Sequence, residues 1–267
     1  MWQKTRHQIL QFLLSSSIIL ANIWWSLPTQ AGILLKPIFL VVETERGQGN
    51  SILSINNTGA EPIRVRLSAA PFTYTKTGNF QRLTSSSQKS DLTPYLRFAP
   101  QEITIGAHQQ QKVRLVSLLP PSLPDGEYRT AITVENLQQT TQEGFSVGFS
   151  LRLVSLINVH KGELQSKFQI ERAFYQPDTD RLALSIDNQG QATARPDIFW
   201  TLKQGDKKIA SGKTTAVLLA GHSRQLLLNQ QQQPLKLKRG LYQLTGEILW
   251  TQTSQQERIP FEIQIPY

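Results

Sequence analysis

Few residues of this sequence have the types and spacing that catalysis or metal binding requires. The chain has four histidines, His7, His108, His160 and His222, and it has no cysteine. No two of these histidines lie within a few residues of each other, so the short ligand spacings typical of zinc sites are missing. The absence of cysteine excludes thiolate nucleophiles and thiolate metal ligands. We therefore expect no metal site and no cofactor.

The motifs of common catalytic sites are also missing. The sequence has no nucleophile elbow, no Walker loop and no dinucleotide-binding glycine fingerprint. The carboxylates are scattered, which leaves a glycosidase-type pair of acids open. Asp178 and Asp180 could bind calcium, but an Asp-x-Asp sequence in a turn is more often solvated. We interpret the protein as a binding protein and not an enzyme.

Residues 1–31 have the pattern of a secretory signal peptide. Lys4 and Arg6 precede a mostly apolar stretch over residues 9–25, and Thr29 and Ala31 then provide small side chains. This order predicts cleavage after Ala31. An uncleaved anchor is the alternative, but the apolar stretch is slightly short of the roughly 20 residues that span a bilayer. We expect a periplasmic protein with no integral membrane segment after cleavage.

The chain is basic, with 28 Lys and Arg against 19 Asp and Glu and a formal net charge of +9. A basic surface can attract nucleic acid, anionic lipid or acidic proteins. Here the basic residues are dispersed along the sequence, and aromatic residues do not interleave with them as they do in many nucleic-acid-binding surfaces. We interpret the charge as a solvated surface and expect no nucleic-acid partner.

The sequence repeats itself once. Three short motifs recur in the same order in both halves, which indicates two copies of one fold. The matched pairs are residues 53–59 with 184–190, residues 106–108 with 220–222, and residues 126–128 with 240–242.

The stretches between these motifs indicate β-strands. Residues 63–67 and 147–153 alternate between apolar and polar side chains, as strands with one solvated face do. Many short strands between Asn- and Gly-rich turns predict an all-β fold of two tandem immunoglobulin-like β-sandwich domains. We assign the N-terminal domain to residues 32–161 and the C-terminal domain to residues 162–267.

Three aromatic residues and one insertion bear on this prediction. Tyr128 and Tyr242 follow glycine turns and are either tyrosine corners, which bond back to upstream backbone, or plain strand aromatics. Trp200 is predicted to lie in the core.

The first copy of the repeat is longer than the second, and its additional residues lie around residues 73–93. We interpret this segment as a loop or hairpin insertion, either a binding loop or a segment without order.

The N-terminal half resembles the periplasmic pilus-assembly chaperones, the PapD-like family, as a divergent member. The resemblance extends over residues 32–161, and five segments carry it: 53–58, 99–100, 105–115, 124–129 and 147–153. It implies two immunoglobulin-like domains set at an angle. It also implies a periplasmic chaperone whose partners are pilus-like or other secreted subunits, with an outer-membrane usher as a further candidate partner.

In this family, the last strand of the first domain is lent to a subunit whose own sandwich lacks a strand. Backbone hydrogen bonds then give affinity, and alternate side chains fill the groove of the client. By position, the resemblance assigns this role to Val147, Phe149, Leu151 and Leu153. The alternative is that these four side chains face the core of their own domain, since a sandwich strand buries one face.

The family also holds the C-terminal carboxylate of the client with two basic residues in the cleft between the domains. One of them usually follows a proline in the first strand, but here Phe39 lies at that place after Pro37. The resemblance makes Arg152 the candidate for the second cation, with Lys161 next. The missing first cation indicates a different contact with the client.

The leading prediction is therefore a chaperone that stabilises surface subunits by donor-strand complementation. The second is a structural or adhesive envelope protein that uses its sandwiches as interaction modules and residues 73–93 as a contact loop. A carbohydrate-binding sandwich would need exposed coplanar aromatics, whereas Trp200 and Trp250 lie on predicted strands.

Overall fold

The computed structural model describes residues 32–85, 88–137, 152–228, 234–252 and 255–267. The predicted signal peptide and three candidate donor residues, Val147, Phe149 and Leu151, lie outside these residues. Nearly all regular structure in the described part is β-strand, apart from short 3-10 turns at Thr93–Tyr95 and Pro177–Thr179. No helix there is long and apolar enough to span a membrane.

The first domain is a sandwich of two sheets and an added hairpin. One sheet has the strand order β1-β3-β9-β7, the other has the order β2-β11-β10-β4-β8, and β5 pairs with β6. Every pairing is antiparallel except that of β2 with β11. The strands are β1 (Ile33–Lys36), β2 (Phe39–Glu43), β3 (Gln48–Asn57), β4 (Ile63–Ala70), β5 (Phe72–Tyr74), β6 (Phe80–Arg82), β7 (Leu96–Ala99), β8 (Glu102–Ile105), β9 (Gln110–Leu118), β10 (Gly126–Asn136) and β11 (Arg152–Lys161).

The second domain is a sandwich of a three-stranded and a four-stranded sheet. Their strand orders are β12-β13-β16 and β15-β14-β17-β18. The strands are β12 (Phe168–Gln176), β13 (Arg181–Asn188), β14 (Asp197–Gln204), β15 (Lys207–Thr215), β16 (His222–Leu228), β17 (Leu241–Gln252) and β18 (Gln255–Pro266). In the described part of the chain, no sheet contains both a strand of the first domain (β1–β11) and a strand of the second domain (β12–β18). We propose the domain boundary at residues 161–162, between β11 and β12.

Alternation along the strands determines which side chains form the two cores. On β4, Ile63, Val65 and Leu67 are buried, while the two arginines between them are exposed and pair with Glu102 on β8. Burial of each such aliphatic side chain contributes about 1.5–3 kcal/mol. In the second domain, Trp200 is 2% exposed within the core, as the sequence predicts.

The repeated motifs have the same structural role in both domains. Asn57 at the end of β3 and Asn188 at the end of β13 are buried, and each side-chain amide donates to backbone carbonyls at the same end of its own domain. The acceptors are Glu61, Ile105 and Gly106 for Asn57, and Ala192 and Leu218 for Asn188. The Tyr128 hydroxyl donates to the Pro124 carbonyl at 2.7 Å, and the Tyr242 hydroxyl donates to the Lys238 carbonyl at 2.7 Å. Both tyrosines are therefore tyrosine corners rather than plain strand aromatics, the two alternatives that the sequence left open.

Candidate functional site

The strand β11 has an open edge at its N-terminal end. It pairs with β10 along its whole length, from Arg152 to Lys161, but its pairing with β2 begins only at Leu156. At the start of that pairing, the Ser155 hydroxyl donates to the Pro37 carbonyl at 2.7 Å. Among the described residues, 152–155 therefore have a neighbouring strand on one side only. An edge of this kind can pair with a strand of another chain.

The side chains of β11 alternate between the core of the first domain and the cleft between the domains. Leu153 packs against the core, on the same face as the buried residues Ile157 and Val159. Val154 and Leu156 point to the opposite face. Leu153 thus has the inward orientation of an ordinary sandwich strand. For the candidates that lie outside the described residues, Val147, Phe149 and Leu151, the donor role stays a prediction.

The cleft face beside this edge is apolar. Phe39, Val154 and Leu156 from the first domain pack in one cluster with Phe72, and residues 217 and 219 of the second domain join it. Leu156 and Leu219 are 5% and 4% exposed, so water is largely excluded there. Phe39, at the place where the family has a cation, is a member of this cluster. Phe39 itself offers no positive charge to a carboxylate that would lose its hydration in such surroundings.

The two candidate anchor cations lie at opposite ends of β11 and already have partners. Arg152 has a side chain that is 62% exposed, and its Nη2 pairs with Glu135 Oε1 at 3.0 Å. The Lys161 ammonium donates to backbone carbonyls of the loop between β9 and β10, at 3.2 Å for Pro120 and 3.0 Å for Pro121, and also to Leu123. Neither cation belongs to the apolar cleft cluster. Their assignment as carboxylate anchors stays a prediction, in which a client would have to displace these partners.

A buried carboxylate joins the two domains. Glu127 on β10 accepts hydrogen bonds from the Thr193 backbone nitrogen and from the Thr193 hydroxyl, both at 2.5 Å. Its remaining partners belong to its own domain: Arg129 Nη1 lies at 3.3 Å and His160 Nε2 at 3.3 Å. The other ring nitrogen of His160 lies 2.9 Å from Glu43 Oε1. Residues from four different segments thus meet at one point of the interface.

The protonation of this cluster follows from its geometry. Burial would raise the pKa of Glu127, but hydrogen bonds from His160 and Thr193 and the charge of Arg129 hold that pKa below its ordinary value. Burial would lower the pKa of His160, but Glu127 and Glu43 raise it above its ordinary value. These shifts favour an imidazolium held between two carboxylates. A cleft cavity of about 210 Å³ lies beside the cluster.

Sequence reasoning did not identify Glu127 as an interdomain residue. One signal was present, because the matching position in the second repeat is Leu241, which is 56% exposed. A charged residue in one copy and an apolar residue in the other indicate that the position does something besides forming the turn. The described residues contain no group of three or more acidic or histidine side chains that could hold a metal ion.

The insertion in the first domain is a hairpin that contacts the second domain. Arg224 on β16 donates to the carbonyls of Val217 at 2.6 Å and Gly78 at 3.1 Å. Its guanidinium also lies 4.6 Å from the centre of the Tyr74 ring, within the range of a cation–π contact. The backbone nitrogen of Gln225 donates to the Lys76 carbonyl at 2.8 Å. The tip of the β5–β6 hairpin is thus a domain–domain contact.

No protein-family model matches the sequence, and no curated protein matches it. The structure is similar to a chain of the CsuC–CsuE chaperone–tip adhesion subunit pre-assembly complex, from archaic chaperone-usher Csu pili of Acinetobacter baumannii. That similarity has a TM-score of 0.50 and 16% identity, and it covers 88% of this chain and 98% of that chain. The class 5 fimbriae chaperone CfaA has a TM-score of 0.49 at 12% identity, covering 87% and 99%.

The E. coli chaperone DraB has a TM-score of 0.47 at 15% identity, covering 87% of this chain and 97% of its own. The predicted fold class is confirmed by the arrangement of the sheets and by the similarity to the Csu chain. This chain has the fold of the PapD-like chaperones, two tandem immunoglobulin-like β-sandwiches.

Proposed function

We propose that this protein is a periplasmic chaperone that binds and stabilises pilus-like or other secreted subunits by lending them a β-strand. The observation that carries the proposal is the one-sided pairing of β11 over residues 152–155. A subunit that lacks one strand of its sandwich would complete its sheet along this edge. The fold similarity to a chain of a chaperone–tip adhesion subunit complex supports the same role.

The proposed donor segment continues from β11 toward its N-terminal side. Val147, Phe149 and Leu151 alternate with polar or small residues, and Leu153, the next apolar residue of the pattern, packs on the core of its own domain. Each apolar side chain that enters a client groove would contribute about 1.5–3 kcal/mol, and each added backbone hydrogen bond about 0.5–1.5 kcal/mol. These contributions would act against the cost of association, about 4–15 kcal/mol for lost translational and rotational freedom. No step of this role requires a catalytic residue, and we propose a binding protein rather than an enzyme.

The contact with the client's carboxylate would differ from a two-cation clamp in the cleft. Arg152 is the proposed anchor because it lies beside the open edge, where a client carboxylate would compete with Glu135 for the guanidinium. Lys161 is the second candidate, although its bonds to Pro120 and Pro121 give it a role in holding that loop. An outer-membrane usher is proposed as a further partner on the fold likeness alone.

The alternative role, a structural or adhesive envelope protein, has less support from the insertion. In that alternative, residues 73–93 form a loop that contacts other molecules. The hairpin tip is instead occupied by Arg224 and Gln225 of the second domain. A contact loop free for another protein would need this docking to open.

Co-expression with small secreted proteins encoded near this gene tests the proposal. The wild-type protein should copurify with one such protein as a one-to-one complex. The double variant Phe149→Glu and Leu151→Glu should lose this complex while the melting temperature of the chaperone stays unchanged. A matched control is Phe199→Glu and Leu241→Glu, which changes exposed side chains of the second domain and should leave the complex intact.

Two results would contradict the proposal. One is a wild-type protein that neither copurifies with nor protects any of these secreted proteins. The other is a donor-segment variant that binds as well as the wild type. If the donor-segment variant unfolds the first domain, Phe149 and Leu151 face their own core, and the side-chain assignment fails.

A further inference from the structure

Basic residues that are dispersed in the sequence meet on one face of the first domain. In the β1-β3-β9-β7 sheet, Lys36 pairs with Ser54, and Ser54 pairs with Lys112, so the two lysines lie in one row across three strands. Directly opposite residues of paired strands project to the same face of a sheet. Arg114 follows Lys112 on that face of β9, and Arg97 lies on the edge strand β7.

This face has no negative charge of its own. The four strands β1, β3, β7 and β9 contain no aspartate or glutamate. In the described residues, the ion pairs involve none of the four cations Lys36, Arg97, Lys112 and Arg114. All four are exposed. The positive potential of the face is therefore unbalanced.

Large apolar side chains are exposed between these cations. Ile52 and Leu118 are each 52% exposed and Leu34 is 42% exposed, and all three point to the same side of the sheet as the cations. An open depression of about 630 Å³ lies between Ile52, Lys112, Arg114 and their neighbours. The face thus combines positive charge with exposed apolar side chains.

We propose that this face binds the surface of a bilayer that contains anionic lipids. Cations near an anionic bilayer are attracted to its headgroups. The apolar side chains would enter the boundary between headgroups and acyl chains, as those of interfacial proteins do. In the depression, Lys112 and Arg114 flank a partly apolar floor, which suits a lipid phosphate and its glycerol backbone.

Most of the lipid-binding face lies on the sheet opposite the proposed client-binding edge, while Lys36 at the end of β1 adjoins that edge, because the carbonyl of the next residue, Pro37, accepts a hydrogen bond from Ser155. The interdomain cleft is formed by β2, β10 and β11 of the other sheet, on the opposite side of the sandwich. Arg97, Lys112 and Arg114, on β7 and β9, could therefore contact a bilayer while the edge of β11 binds a client. This inference goes beyond the chaperone proposal, and its failure would leave the client-binding edge unaffected.

Vesicle flotation with the full chain lacking residues 1–31 tests the inference. The protein should float with vesicles of phosphatidylglycerol and phosphatidylcholine and not with vesicles of phosphatidylcholine alone. The triple variant Lys36→Gln, Lys112→Gln and Arg114→Gln should bind the anionic vesicles roughly 100-fold more weakly. Arg97 is left in place because it donates to the Pro94 and Leu96 carbonyls of its own chain.

The matched control removes three cations from the second domain. The variant Lys203→Gln, Lys207→Gln and Lys208→Gln has the same net charge as the face variant, and all three lysines are exposed. It should retain binding, and Ile52→Ser should weaken binding without changing the charge. Equal losses in both charge variants, or no preference for anionic vesicles, would overturn the inference. Binding to poly-glutamate without binding to vesicles would assign the face to an acidic polypeptide and would also overturn it.

Discussion

The Glu127 carboxylate of the first domain accepts two hydrogen bonds from Thr193 of the second domain, from the backbone nitrogen and from the hydroxyl. The same hydroxyl accepts a hydrogen bond from the backbone nitrogen of Ala220 at 3.0 Å. One residue of β10 is thereby connected to two loops of the second domain. The arrangement fixes the position of the second domain relative to the sheet that carries the open edge of β11.

Substitution of Glu127 should therefore weaken the whole interface. In Glu127→Ala, Thr193 loses its acceptor, Arg129 keeps a buried charge without its ion-pair partner, and His160 keeps only Glu43. Removal of one partner from a buried ion pair costs about 3–5 kcal/mol. Urea unfolding should show a loss of this size. The control Glu102→Ala removes exposed ion pairs with two arginines and should cost only about 0–1 kcal/mol. Equal stability losses in both variants would show that Glu127 has no special role.

The charge on His160 predicts how stability depends on pH. Its pKa is raised in the folded protein by Glu127 and Glu43, so its stabilising contribution is complete below the unfolded pKa of about 6.5. That contribution is lost as the pH rises through the higher folded pKa. Thermal melts of the wild type should show a decline across this window. The decline should be smaller in His160→Gln and unchanged in His222→Gln, whose ring is exposed.

The low folded pKa of Glu127 has the opposite consequence at acid pH. Its contribution is present above the unfolded pKa, about 4.3 for glutamate, and is lost as the pH falls through the folded value. Melts at decreasing pH should therefore show a loss of stability that begins below the ordinary glutamate pKa. In Glu127→Gln this loss should shrink, because the amide does not titrate. An unchanged acid profile in that variant would contradict the assignment.

Arg224 should hold the hairpin of the first domain against the second. In Arg224→Ala, the Gly78 carbonyl and the Tyr74 ring lose their shared cation, with an expected cost of about 1–3 kcal/mol for hydrogen bonds to a charged group. Limited proteolysis should then cleave the hairpin tip faster than in the wild type. Arg258→Ala is the control, since its side chain is 75% exposed and lies 4.0 Å from Glu247. Cleavage at the wild-type rate would show that backbone contacts alone hold the hairpin.

The two tyrosine corners should contribute similarly to their own domains. Tyr128→Phe and Tyr242→Phe each remove one hydroxyl that donates to a backbone carbonyl four residues upstream. The expected loss is about 1 kcal/mol for each, measured by urea unfolding. In the double variant, the two losses in unfolding free energy should add, because the two sites lie in separate cores. A neutral result for either variant would show that the hydrogen bond of that tyrosine does not contribute to the free energy of unfolding.

The fold class and several of the strands could be predicted from the sequence because each half carries local signals. Alternation fixes which face of a strand is buried, and the recurring asparagine, glycine and tyrosine positions fix the turns. These signals depend on residues close together in the chain, so one sequence is sufficient to detect them. The assignment of Trp200 to the core and of residues 73–93 to a hairpin or loop insertion followed from the same local patterns.

The candidate site was less predictable. Arg152 and Lys161 were identified by their positions on one strand, but their partners, Glu135 and the carbonyls of residues 120–123, come from other segments. Phe39 was recognised as a departure from the family pattern, and the structure supplies its reason, which is the apolar cluster shared by both domains. No local pattern showed that the hairpin would contact the second domain.

By itself, the sequence determined a tandem β-sandwich without cysteine chemistry, since composition and periodicity are properties of the chain. The tertiary structure alone decided which distant residues meet. It joined Glu127 to Thr193 and Tyr74 to Arg224, and it brought Lys36 into one row with Lys112. Contacts of this kind depend on strand register and on the packing of one domain against the other. Charge that is dispersed along a sequence can therefore become a single basic face once the strands are paired.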